Sequence, residues 1–200
     1  MPALPLPSQN VRDRLRRASA SLDLAETTGS PFAMSQALAE VARCHREMQA
    51  AASAESHFEA AVRWARFTGS NDHVADLLCE LADASVRVAL ARDLAAMLAR
   101  VAEDDEPGAR QVGGHSGGAA WGRAARERAR DHAFEASQLA GRVSDPACEA
   151  HLLLRASAVL ERCGDHADAA QMQRRALDLL GGATPREAAQ VTGLGRLADA

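Results

Sequence analysis

The stretch Ala25–Ala42, AETTGSPFAMSQALAEVA, has a counterpart forty residues later in Ala65–Ala82, ARFTGSNDHVADLLCELA. At that single offset the two share Thr-Gly-Ser, Leu38/Leu78, Glu40/Glu80 and Ala42/Ala82. A period of this size indicates stacked helical hairpins. A third copy begins at Asp145, which pairs with Ser30 and Ser70 and brings Leu38, Leu78 and Leu153 into one column and Val41, Leu81 and Ala156 into the next. Within each copy the apolar residues recur three and four apart, so each helix carries one buried stripe.

Helix starts are written beside these columns. Ser30-Pro31, Asp145-Pro146 and Thr184-Pro185 each set a side-chain oxygen where it can accept from a free helix N–H, followed by proline at the first helical position, where no donor is lost. Thr184 with Glu187 and Ser56 with Glu59 have capping-box spacing as well. The expected helices run at about 10–28, 31–50 with 53–67, 72–89 with 91–103, 119–142, 146–163, 166–180 and 185–198. Because neither Gly nor Pro separates Val74 from Glu103, that span also reads as one long helix whose hairpin partner follows the linker. The last helix has no partner, which suits a cap over the end of a stack.

On these residues the chain resembles the tetratricopeptide repeat family. That family's first helix carries large, large, small and large residues, matched here by Leu38, Val41, Ala42, His45 and by Leu153, Ala156, Ser157, Leu160. Its second helix carries Ala, a large residue and Ala, matched by Ala54, Phe58, Ala61 and, after Gly164, by Ala169, Gln173, Ala176. The middle copy gives Leu78, Leu81, Ala82, Ser85 and then Leu94, Leu98, Val101, which lack the small residues. The absence of tyrosine and the period of forty also depart from the family pattern. The resemblance implies an all-α fold, a short right-handed solenoid of tetratricopeptide-like hairpins. It is divided into a flexible N-terminus (1–9), a first set of repeats (10–103), a Gly-rich linker (104–118) and a second set with a C-terminal capping helix (119–200). It further implies a concave groove lined by first helices and facing a protein or peptide partner with Gln36, Arg43, Arg46, Glu47, Asp76, Asp83, Arg87, His151, Glu161 and Arg162. The basic and asparagine ring with which chaperone-binding members hold a C-terminal carboxylate is not reproduced.

Composition narrows the classes. Hydrophobic residues make up 47% and charged residues 25% of the 200, the profile of a folded chain rather than a disordered one. Aromatics are only 3%, so the core must be built from Ala, Leu and Val. All 23 basic residues are arginine, and the formal net charge of -4 gives no global field for a polyanion, so a nucleic-acid partner is not expected. No apolar run approaches the roughly 18 residues of a membrane span, and the N-terminal apolar part is too short for a secretory signal. The expected place is the cytoplasm, where the four cysteines are reduced.

Three motifs invite a catalytic or ligand-binding reading. GHSGG at 114–118 fits G-x-S-x-G, but a nucleophile elbow needs a strand feeding the turn, and EDDEPGARQ upstream supplies none. Ser116 reads as a loop serine. Cys148-x2-His151 and Cys163-x2-His166 have ligand-like spacing, yet on one helix the two cysteines stand about 22 Å apart, too far to share a tetrahedral ion. The arginine clusters at Arg12, Arg14, Arg16, Arg17 and at Arg123, Arg126, Arg128, Arg130 are interspersed with Asp13, Glu127 and Asp131, as on solvated helix faces. No metal, cofactor or catalytic residue is expected. The expected function is a non-catalytic scaffold or adaptor. The alternative is a detached sensing module similar to the repeat domain of bacterial transcription activators, without their ATPase, since a P-loop is impossible without lysine.

Overall fold

The computed structural model describes residues 9–104 and 116–181, and these are helical with no strand among them. The α-helices are α1 (Gln9–Thr28), α2 (Pro31–Glu47), α3 (Ala51–Ala65), α4 (Asn71–Asp104), α5 (Ser116–Ala140), α6 (Pro146–Cys163) and α7 (His166–Gly181). Each packs on the next in chain order, and α4 also packs on α6. Among the described residues no helix is long and apolar enough to cross a membrane.

The repeated Thr-Gly-Ser has a physical reason. Thr28 and Thr68 donate their hydroxyls to the carbonyls of Ala25 and Ala65, at 3.0 and 2.7 Å, closing the preceding turn. Gly29 and Gly69 then take left-handed φ values of 65° and 74°, which a Cβ would disfavour. Ser30 accepts from the Ala33 amide at 3.4 Å and Ser70 from that of His73 at 3.4 Å, starting α2 and α4. Asp145 accepts from the Ala147 amide at 3.0 Å ahead of α6. The expected cap at Ser56 is corrected, because α3 already begins at Ala51 and Ser56 lies exposed inside it. Thr184-Pro185 and the expected helix at 185–198 lie outside the described residues, as do residues 1–8.

The register is buried as expected. Leu38, Leu78 and Leu153, with Leu81 and Ala156 and with Ala42 and Ala82, lie in one core that also holds Phe58, Ala61, Ala169 and Ala176, and Val41 and Ser157 are buried as well. His45 and Gln173 are half-buried at its margin.

Of the two readings of the middle span, the division at 89/91 is corrected and the single long helix is found. Residues 71–104 form one helix of 34 residues, and its hairpin partner is α5. No turn residue interrupts the span, so the hydrogen-bond ladder continues. The small residues missing from Leu94, Leu98 and Val101 are supplied by α5, whose Ala125, Ala129, Ala133, Ala136 and Ala140 are all fully buried at helical spacing. Because α4 reaches Asp104 and α5 begins at Ser116, the expected linker 104–118 overlaps both helices. Its remainder lies outside the described residues.

Buried polar groups are matched across helices. Glu55 on α3 accepts from Ser85 on α4 at 2.7 Å and from Arg128 on α5 at 3.0 Å, which satisfies a carboxylate inside the core.

Candidate functional site

Helices α2, α4 and α6 stand side by side, and the candidate groove residues lie along them. On α2, Arg43 donates through Nε to both Glu80 oxygens at 3.0 and 3.1 Å and through Nη1 to Glu40 at 2.6 Å. Arg46 reaches the same Glu80 at 3.3 Å. Between α4 and α6, Asp76 pairs with Arg155, and Asp83 receives Arg162 at 2.5 Å and Arg87 at 2.8 Å. Ser35 and His73 meet at 2.8 Å, with the Phe32 ring 5.1 Å from the imidazole.

The expected charged groove residues other than Glu161 are thus in ion pairs within the chain. Glu47 holds Arg14 of α1 at 2.7 Å, and Glu161 meets His166 Nδ1 at 2.8 Å. Opposite charges from α2, α4 and α6 thus interdigitate and neutralise one another across the seams. Glu80 and Arg155 complete these seams and were not among the expected site residues. A signal for them existed. Glu80 shares its column with Glu40, while Asp76–Arg155 and Asp83–Arg162 both span 79 positions. That is the register offset between Leu78 and Leu153 plus one helical turn.

Burial and pairing set the protonation states. Burial works to lower the Arg43 pKa, but hydrogen bonding to Glu80 and the charges of Glu80 and Glu40 outweigh it and raise it. Burial works to raise Asp83, yet Arg87 and Arg162 bring it below its ordinary value. His151 is half-buried, and its pKa is lowered by burial and by Arg155. Burial pushes the Cys79 thiol up to about 12, so it behaves as a small core residue.

Gln36 is the expected residue that faces open space. It is exposed on α2 and lines a groove of about 670 Å3 between α1 and α2. Ala18, Ala25, Ala33 and Ala37 form its floor, Leu24 and Thr28 stand at one end, and Arg14, Arg17 and Glu40 line the other. The two helices are antiparallel, with Arg14 at the Glu47 end, and small residues on both leave the trough between them.

The reading of Ser116 as a loop serine is corrected, because it is the first residue of α5, while Gly114 and His115 lie outside the described residues. Among the described residues no group of three or more His, Cys, Asp or Glu is placed to hold a metal ion. The second arginine cluster fastens α5: Arg126 to Asp93, Arg128 to Glu55 at 3.0 Å, and Arg130 to Asp165 at 2.6 Å.

No family model matches the chain, and no curated protein matches it. Among solved structures it is similar to BtubC (BKLC) from P. vanneervenii, at 14% identity over 89% of this chain and 95% of that one, with a TM-score of 0.26.

Proposed function

We propose that the chain is a non-catalytic interaction scaffold, a short right-handed stack of tetratricopeptide-like hairpins that receives a segment of a partner protein between α1 and α2. The observation that carries this reading is the groove itself, an alanine-floored trough lined by Gln36 and rimmed by Arg14, Arg17 and Glu40. Small side chains on the floor let a partner backbone or apolar side chain approach closely, and the Arg14, Arg17 and Glu40 rim sets orientation and association rate. The paired seams between α2, α4 and α6 act as the rigid wall behind it. This moves the proposed contact from the whole row of first helices to the α1–α2 end, with Gln36 kept and the remaining expected residues assigned to the wall.

The test replaces Leu24 with Asp and Gln36 with Ala, both exposed in the groove, and measures affinity for the protein that copurifies with the wild type. A loss of tenfold or more with unchanged helicity supports the reading, and equal affinity sinks it. A second reading rests on size: the groove lies within the roughly 300–1,000 Å3 of small-molecule pockets. A detached sensing module would then bind a metabolite there. A ligand that raises the melting temperature of the wild type but not of Leu24→Asp would favour it.

A further inference from the structure

The distal half of α4 carries the surface that the body of the protein leaves uncovered. The seams at Arg46–Glu80 and Arg162–Asp83 lie near the last residues of α2 and α6. Beyond Ala89 the helix therefore projects about 22 Å with α5 beside it, where Arg126 pairs with Asp93 and Ala125 packs at Ala89. Leu90, Leu94, Met97, Leu98 and Val101 are 53 to 62% exposed on this arm. At about 100° per residue they continue the line of Asp76, Glu80, Asp83 and Arg87, to one side of Ala89 and Asp93, which meet α5. Of the arm's charged residues, Arg92, Asp93 and Arg100 fall outside this stripe, and Glu103 and Asp104 follow its last member, Val101.

We infer that this stripe binds a second copy of the same chain, the two α4 arms pairing antiparallel about a two-fold axis. Three observations select that occupant. Leu90, Leu94, Met97 and Val101 are spaced by four, three and four, the seam of a coiled coil, so the complementary surface is another helix. The spacing reads the same in both directions about the midpoint between Ala95 and Ala96. An antiparallel copy therefore sets Leu90 against Val101 and Leu94 against Met97, as an isologous contact requires. The face also lacks charge, so nothing in it repels its own copy or selects a charged partner. Five side chains offering about 100 Å2 each give on the order of 1,000 Å2 when two such faces close, the lower bound for a specific interface and in keeping with micromolar affinity.

The test is sedimentation velocity on the full chain from about 1 to 100 µM, a range that brackets a micromolar Kd. The wild type should pass from monomer to dimer. Leu94→Glu and Met97→Arg, both on exposed positions and checked for unchanged helicity, should each be monomeric throughout. An equimolar mixture of the two should restore the dimer, because the antiparallel seam sets residue 94 of one chain against residue 97 of the other. Leu177→Glu, at an exposed leucine on α7, should dimerise as the wild type does. A wild type that stays monomeric overturns the inference and assigns the stripe to another protein or to another segment of this chain. Variants that dimerise like the wild type overturn it in favour of a different surface. Monomeric variants without rescue in the mixture overturn the antiparallel pairing.

Discussion

Replacing Glu80 with alanine tests whether the seam between α2 and α4 holds the stack together. The Glu80 side chain is 7% exposed and receives Arg43 and Arg46, which are 25% and 29% exposed. Removing one partner of a fully buried ion pair costs about 3–5 kcal/mol, because the other charge is left unpaired away from water. Here the cost is smaller. Both guanidiniums can reach solvent, and Arg43 keeps Glu40 at 2.6 Å. A loss of about 2–3 kcal/mol is therefore expected, read from urea unfolding followed by circular dichroism. A double-mutant cycle with Arg43→Ala should give a coupling energy of about 1–3 kcal/mol. Glu80→Leu with Arg43→Met, which replaces the pair by apolar groups, should lie within about 1 kcal/mol of the wild type. If Glu80→Ala costs less than about 0.5 kcal/mol, or the cycle gives zero, the seam is an ornament on helices that pack without it.

Stability should fall on mild acidification. His45, His73, His132 and His151 all have pKa values lowered chiefly by burial, so the unfolded chain binds more protons. Their contribution is complete above the unfolded value near 6.5 and is lost as pH drops through the lower folded values; His73→Gln should flatten that slope in melts between about pH 7 and 5. Leu153→Ala should cost about 2–5 kcal/mol as a buried truncation, and Ala169→Leu about 1–3 kcal/mol by overpacking α6 against α7; a neutral result for the second would refute the register. Gly164 ends α6 with φ of 91° and open space around it, so Gly164→Ala should cost about 1 kcal/mol through backbone strain alone, measured by the same unfolding assay.

The parts of the fold legible in the sequence were those in which local chemistry and burial coincide. Ser30-Pro31 and Asp145-Pro146 start helices because capping acts within three residues, and Leu38, Leu78 and Leu153 are buried because their spacing is helical. The long α4 was legible as one of two readings: the absence of Gly and Pro between Val74 and Glu103 allowed a single helix paired with the one after the linker, while Leu94, Leu98 and Val101, spaced like a buried second helix, also allowed a division. Sequence could not choose between them, because an alanine column such as Ala125, Ala129 and Ala133 contributes little hydrophobic contrast. At the candidate site, sequence placed Arg43, Arg46, Asp76 and Asp83 on the right helices but left their charge unspent. Glu80 and Arg155, which neutralise three of them, meet them only after the helices have stacked. Gln36 escaped that fate because it points toward α1 rather than toward another first helix.

A single helix of 34 residues also has a mechanical consequence. At about 1.5 Å per residue α4 is roughly 51 Å long, and it is gripped over its first half by three neighbouring helices and over its second by one. Such an element is a lever with its fulcrum in the core. A tilt of about 5° where the arm leaves the core, within the small adjustments that packed helices make, displaces the tip about 22 Å away by about 2 Å. Loads applied at the tip return along the same rod to Asp76 and Asp83, so the salt-bridged seams are the joints that would feel them first.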